Sequence, residues 1–174
     1  MKKIIVFFAV MIICLSSIAQ NSFTRDSIID VNKTKDQLYV ETKMFIADSW
    51  KSAQDVTQLD DQESGTIIIK GITTLPIPYM IAAAEAVYDY TVKFSIKDNK
   101  CRIQIYNIAF RRVISAYPNW HNYEYHPLPE YPGRKVVAIK EEHWQKLMVN
   151  IKSEILPIVD LYATSIVKTE KTDW

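Results

Sequence analysis

The sequence predicts an α+β protein of two layers, in which two helices pack on one face of an antiparallel five-stranded sheet. Two amphipathic helical patterns lie towards the two ends of the chain, and alternating apolar and polar residues mark strands between them. Each helix has a broad apolar stripe that must be buried, and an alternating sheet offers one apolar face. The element order β-α-β-β-β-β-α therefore favours two layers, with the other face of the sheet more exposed to water.

The first strand and the first helix have clear local signals. Residues 27–31 form a short run with β-branched side chains, which is typical of a strand. Thr34 and Gln37 then have the spacing of a capping box, in which each side chain bonds the backbone N–H of the other residue. Apolar residues follow at helical spacing as far as Ala53. The pattern predicts a helix over residues 34–53.

Four further strands are predicted in the middle of the chain. Residues 55–59 are a modest candidate, and three consecutive isoleucines favour a strand over residues 66–73. Residues 88–97 alternate strictly, and Asp98-Asn99 suits a tight turn with positive φ. The turn leads into a hairpin strand that we expect to run to about Arg111.

Three other segments have weaker or interrupted patterns. Residues 74–86 are ambiguous because two prolines interrupt them, while Met80–Ala86 has the composition of a short helix. Residues 112–138 are rich in proline and aromatic residues and are predicted to be a long connection. From about Lys140 an apolar stripe predicts a final helix, which Pro157 should kink or split.

The N-terminus has the form of a secretory signal peptide. A basic start, Met1-Lys2-Lys3, precedes the apolar run Ile4–Leu15. The small residues Ser17 and Ala19 then stand third and first before a cut after Ala19. The run is shorter than the about 20 apolar residues that span a bilayer, so the sequence predicts no stable transmembrane anchor.

We therefore divide the chain into a signal peptide, residues 1–19, and a single domain, residues 20–174. The mature protein is expected in the periplasm or at the cell surface. Cys14 leaves a lipoprotein alternative, although Ile13 precedes it where lipidation favours a small residue.

Charge and motif content argue against several classes of function. Loss of Lys2 and Lys3 lowers the 21 basic residues to 19, against 20 acidic ones. Nucleic-acid binding relies on clustered Lys and Arg in excess, so the sequence predicts no nucleic-acid partner. The 3 glycines form neither a phosphate-binding loop nor a nucleophile elbow. HExxH and paired CxxC motifs are missing too, so we predict no cofactor and assign no catalytic residue.

The mature chain would keep one cysteine, Cys101, which cannot form an internal disulfide. Lys100 and Arg102 flank it and favour a lower thiol pKa, but no histidine lies near it in sequence. We therefore expect Cys101 to be a half-buried, unreactive residue.

Several short motifs together suggest a family. They are Lys35 and Leu38 at the helix start, Trp50, the Glu63-Ser64-Gly65 turn, Lys70-Gly71, and the strand with Tyr90 and Phe94. With them, residues 31–72 and 88–108 resemble an exported bacterial domain of unknown function with a TATA-binding-protein-like (TBP-like) fold. The resemblance implies the same element order and a signal peptide, and it implies no activity or catalytic residue. DNA binding does not transfer with the fold, because fold does not determine function.

Residues 117–132 have the composition most suggestive of binding. Aromatic rings with polar tips suit stacking on sugar rings or holding a peptide, and prolines reduce the entropy lost when a loop becomes ordered. The alternative is that the segment lies across the sheet and shields it from water. The candidate ligand-binding residues are Tyr117, Trp120, Tyr123, Tyr125 and Tyr131.

The same segment contains a candidate metal site, His121, Glu124 and His126, because imidazole and carboxylate groups bind zinc. Their spacing fits no defined motif. The sequence thus predicts an exported protein that acts as a non-catalytic binding or assembly module of the bacterial envelope. Its partner would be an envelope protein, a peptide or a glycan. A metal-assisted hydrolase that uses the three candidate metal ligands is the alternative, and a purely structural subunit is a third possibility.

Overall fold

The computed structural model describes residues 23–77, 84–115, 126–131, 133–134 and 139–168. The strands in these ranges are β1 (Arg25–Asp30), β2 (Thr57–Asp61), β3 (Thr66–Pro76), β4 (Ala84–Lys97), β5 (Lys100–Ser115) and β6 (His126–Pro127). The helices are α1 (Lys35–Ser49), α2 (Ala53–Val56), α3 (Glu141–Ile155) and α4 (Ile158–Lys168).

The strands form one antiparallel sheet. Five of them are ordered β1-β5-β4-β3-β2, which confirms the predicted five-stranded sheet. The short strand β6 adds a sixth by pairing with Ala109 and Phe110 of β5. Because β4 occupies the other edge of β5, β6 lies on the same edge as β1.

The helices pack on one face of this sheet, as predicted. Phe45 of α1 and Phe94 of β4 contact the ring of Tyr162 in α4 edge-to-face, with centroid separations of 5.1 and 4.9 Å. Further along the same face, Trp144 of α3 lies 5.7 Å from Phe110 of β5. Burial of these rings removes apolar area from water and so stabilises the domain.

The start of α1 confirms the capping box, but its end differs from the prediction. The Gln37 N–H donates to Thr34 Oγ1 at 3.3 Å, and the Thr34 N–H donates to Gln37 Oε1 at 3.0 Å. The helix ends at Ser49 rather than Ala53. Trp50 adopts an extended conformation there, and its side chain bonds Tyr90 on the sheet. Residues 53–56 form α2, so the next strand begins at Thr57 and not at residue 55.

The ambiguous segment around residues 74–86 is largely strand. β3 continues to Pro76 and β4 begins at Ala84, so a helix over Ala84–Ala86 is wrong, while residues 78–83 lie outside the described residues. Ala86 pairs with Leu75 on one side and Val113 on the other, and this pairing outweighs the helix propensity of alanine.

The ends of the long connection also differ from the prediction. β5 extends to Ser115 rather than to about Arg111, and β6 lies within the predicted connection, residues 112–138. Pro157 splits the final helical pattern into α3 and α4, as expected.

Cys101 lies in the core, fully buried, next to two hydroxyl groups. Tyr162 Oη is 2.9 Å from Cys101 Sγ and 2.7 Å from Thr42 Oγ1, and Thr42 Oγ1 donates to Leu38 O at 2.6 Å. Burial raises the thiol pKa to about 11, so the unreactive thiol stays protonated at neutral pH. Cys101 was predicted to be half-buried and is instead fully buried, because its strand lies inside the sheet with the helices packed over it.

Candidate binding site

A cavity of about 920 Å³ lies where β3 extends beyond the end of β2, and we call it the β3-edge cavity. Its lining comes from the end of α1, the segment that leads through α2, the middle of β3, β4 and β5, and the start of α4. Tyr90, on the helix-covered face, and Asp89 and Thr91, on the opposite face, all line it. The cavity therefore reaches both faces of the sheet.

An aromatic wall forms one side of the β3-edge cavity. Trp50 Nε1–H donates to Tyr90 Oη at 3.2 Å, and the Trp50 ring lies 6.0 Å from that of Phe45, edge-to-face. The ring of Tyr90 lies directly over Gly71, where an added Cβ atom would be only 2.1 Å from Tyr90 Cζ. Burial raises the pKa of the Tyr90 hydroxyl, so it remains protonated. Trp50 is thus held in place by Tyr90, and Tyr90 fits because residue 71 is glycine.

The rest of the lining is mixed, with polar and apolar side chains and the charged residues Lys51, Asp55, Lys70, Asp89 and Arg111. Arg111 Nη1 is 3.4 Å from Asp89 Oδ1 on the face opposite the helices. The side chains of Lys51 and Lys70 form no hydrogen bond or ion pair with another residue of the described ranges. Leu161 of α4 is 62% exposed beside them. The cavity can therefore offer ring stacking, apolar contact and two ammonium groups to a ligand.

Comparisons with known proteins identify the family. A family model described as "Domain of unknown function (DUF4468) with TBP-like fold" matches residues 25–111, which is half of the chain. The chain belongs to the DUF4468 family. The resemblance inferred from the sequence is thereby confirmed, and the matched region runs from β1 into β5.

Two solved structures share the fold of this DUF4468 protein. A DUF4468 family protein from Bacteroides ovatus has 13% sequence identity and a TM-score of 0.56, and the match covers 80% of this chain and 85% of that one. A TBP-like protein from Parabacteroides distasonis has 11% identity and the same TM-score of 0.56, with 81% and 92% covered. At these identities the likeness shows the fold alone. No curated protein matches the chain.

Apart from Leu38 and Phe94, which lie in the core, the motif residues that suggested the DUF4468 family lie at two places. Lys35 Nζ donates to Glu63 O at 2.6 Å, beside Gly65, whose φ of +67° suits a glycine turn. The other group, Trp50, Lys70-Gly71 and Tyr90, lines the β3-edge cavity. The first group therefore supports the fold, while the second builds the candidate site.

Sequence reasoning did not single out this cavity. Trp50 falls within the predicted helix over residues 34–53 and Tyr90 within an alternating strand, and both are patterns of core residues. The available signal was Gly71 inside a β-branched run, since a glycine in a strand often marks the close approach of another group.

The aromatic candidates of the long connection are described only in part. Tyr131 is half-buried, its ring lies 5.9 Å from that of Trp144, and its hydroxyl donates to Ile139 O at 2.6 Å. Tyr131 thus packs against α3. Candidates that lie outside the described residues are Tyr117, Trp120, His121, Tyr123, Glu124 and Tyr125.

His126 of the candidate metal site is placed by its backbone, which pairs with Phe110 in β6. The remaining candidates therefore lie in sequence between Ser115, where β5 ends, and His126, which pairs with the same strand. Within the described ranges, no group of three or more His, Cys, Asp or Glu side chains is placed to hold a metal ion.

Proposed function

We propose that this DUF4468 protein is exported and acts as a non-catalytic binding or assembly module of the bacterial envelope. The β3-edge cavity is the observation that supports this most strongly. Its aromatic wall is fixed by packing and by the Trp50–Tyr90 hydrogen bond, so little conformational entropy would be lost when a ligand binds. Lys51 and Lys70 add charge at its rim.

Export is supported by the sequence and by where the domain begins. The basic start, the apolar run and the small residues before position 20 have the order of a signal peptide. Both β1 and the family match begin at Arg25, so a cut after Ala19 would leave every described element intact. None of the helices in the described ranges is both long and apolar enough to cross a membrane.

The processed form can be tested by mass spectrometry of protein recovered from the cell envelope. Cleavage after Ala19 gives an N-terminal Gln20 and no lipid. A Cys14→Ala variant should be processed identically, because in this proposal Cys14 leaves with the signal peptide. An intact N-terminus, or a lipid on Cys14, would contradict the proposal.

The aromatic residues of the connection are proposed as a second contact element. Tyr117, Trp120, Tyr123 and Tyr125 lie in sequence between β5 and β6, and these two strands pair with each other. Loops that are carried on a rigid sheet commonly hold binding residues. In this proposal Trp120→Ala and Tyr125→Ala weaken ligand binding and leave the free energy of unfolding unchanged. In a purely structural subunit the same substitutions would lower the free energy of unfolding and leave ligand affinity unchanged.

A ligand screen tests the binding function. The mature protein is screened against glycans, peptidoglycan fragments and peptides from envelope proteins. Leu161→Asp alters the rim of the β3-edge cavity, and Val149→Asp is its matched control, because Val149 is 66% exposed on α3 and does not line the cavity. We expect Leu161→Asp to lower affinity about tenfold, which corresponds to about 1.4 kcal/mol, while Val149→Asp has no effect.

Two results would refute this function. One is the absence of any ligand from the screen, and the other is an equal effect of the two aspartate substitutions. Elemental analysis of the purified protein covers the hydrolase alternative. Stoichiometric zinc that disappears in a His121→Ala variant would favour the hydrolase over the binding module.

A further inference from the structure

The edge of β3 that faces away from β4 has no paired strand among the described residues over more than half of its length. β2 pairs with β3 only between Thr66 and Ile69, whereas β4 pairs with β3 as far as Pro76. The edge from Lys70 to Pro76 therefore has no strand partner among the described residues. An open edge of this kind is a template for another extended chain.

The register of the hairpin shows which backbone groups point outward. The Ile77 N–H donates to Ala84 O at 2.8 Å, and the β3–β4 register has no irregularity. Hydrogen-bonded pairs therefore recur at every second residue, and Lys70, Ile72 and Thr74 direct their N–H and C=O groups away from β4. Pro76 has the same parity, and a proline is tolerated there because the missing N–H would face outward.

The β3-edge cavity surrounds the start of this open edge. A cavity that reaches both faces of a hydrogen-bonded sheet must pass around its edge, and β3 contributes Lys70, Gly71 and Ile72 to the lining. Trp50 lies on the helix side of the edge, and Ile72 projects from the open side with 58% exposure. The alternating side chains of an added strand would thus find an aromatic wall on one side and Lys70 and Ile72 on the other.

We propose that residues 70–76 of β3 bind an extended, acidic peptide segment of a partner protein by β-strand addition. This rests on the proposed binding function and names the class of partner. The ammonium groups of Lys70 and Lys51 have no anionic partner among the described residues, whereas the two carboxylates of the lining are engaged, Asp89 by Arg111 and Asp55 by the Ser52 hydroxyl. An acidic side chain of the partner would therefore complement the two lysines. A second copy of this chain fits less well, because its own open edge, residues 70–76, carries a lysine and no acidic residue.

The test uses a short, end-capped, fluorescent peptide, TVTVTLE, with the mature protein. In antiparallel register its Glu lies opposite Lys70 and its Leu faces Trp50 beside Gly71. We expect it to bind more tightly than TVTVTLK, and we expect Lys70→Glu to reverse that preference. Thr74→Pro removes one outward N–H at a position equivalent to Pro76. It should weaken binding about tenfold, whereas Thr74→Val should not.

Four outcomes would overturn the proposal. They are no binding of TVTVTLE at about 1 mM, equal affinities of Thr74→Pro and Thr74→Val, an unchanged charge preference in Lys70→Glu, and a dimer of the wild-type protein that Thr74→Pro dissociates. The last result would assign the edge to a second copy. If Thr74→Pro fails to fold, the charge reversal at Lys70 decides. Glycan binding that Thr74→Pro retains would leave the binding function in place and refute only the peptide partner.

Discussion

Replacing Gly71 by alanine tests how the aromatic wall is built. The new Cβ atom would lie 2.1 Å from Tyr90 Cζ and 2.4 Å from Tyr90 Oη, well inside van der Waals contact. Tyr90 is only 6% exposed, so its ring has to move within a packed interior and give up its bond with Trp50. Overpacking of a core costs about 1–3 kcal/mol, and a lost hydrogen bond costs about 1 kcal/mol. Alanine is favoured over glycine in a strand by about 0.5–1 kcal/mol. The net loss should be about 2 kcal/mol.

A double-mutant cycle with Tyr90→Leu isolates the clash. The atoms that collide are the distal ring atoms and the hydroxyl of Tyr90, and leucine has none of them. In the Tyr90→Leu background, Gly71→Ala should be neutral or should stabilise by about 0.5–1 kcal/mol, so the coupling energy is about 2–3 kcal/mol. The assay is urea unfolding followed by tryptophan fluorescence and circular dichroism. A neutral Gly71→Ala in the wild type, or an equal loss in both backgrounds, would refute the reasoning.

Three further substitutions test the core and the first helix by urea unfolding. Burial raises the Cys101 thiol pKa from 9.0 to about 11, so the folded state loses stability as pH rises through that window. Between these pH values the free energy of unfolding of the wild type should fall by about 2–3 kcal/mol more than that of Cys101→Ser. Equal decreases would contradict the burial of a protonated thiol in the folded state. Tyr88 Oη is buried without a hydrogen-bond partner among the described residues, so Tyr88→Phe should leave stability unchanged or higher; a clear loss would reveal a partner. Thr34→Ala should lower the free energy of unfolding by about 1 kcal/mol because the helix cap is lost, whereas Thr34→Ser should lower it by only a few tenths of a kcal/mol. Equal decreases would show that the effect does not come from the hydroxyl group.

Elements with local signals could be predicted from the sequence, and elements decided by distant partners could not. The start of α1 follows from Thr34 and Gln37, which are three positions apart. Its end depends on Trp50, whose indole bonds Tyr90, 40 positions along the chain. Ala86 similarly became strand because β3 and β5 flank it on both sides. The spacing of apolar residues along the sequence indicates neither the side-chain hydrogen bond of Trp50 nor the strand pairing of Ala86.

The candidate site was harder to predict, because the unusual composition lies in the connection after β5, whereas the cavity is formed by contacts between other parts of the chain. The sequence directs attention to the aromatic connection, yet Tyr131, the described member of that set, packs on Trp144. The β3-edge cavity is built from residues whose patterns are those of a core. The local signal in the sequence is Gly71. Its meaning depends on Tyr90, which is paired with it on the adjacent strand β4.

Amide hydrogen exchange measured residue by residue tests the open edge of β3 most directly. The account predicts alternation, with fast exchange at Ile72 and Thr74 and slow exchange at Gly71 and Thr73, because only the second pair donates to β4. Adding TVTVTLE should then slow exchange at Ile72 and Thr74. Equally slow exchange at all four amides of the free protein would show that another segment already pairs with this edge, and would contradict the account.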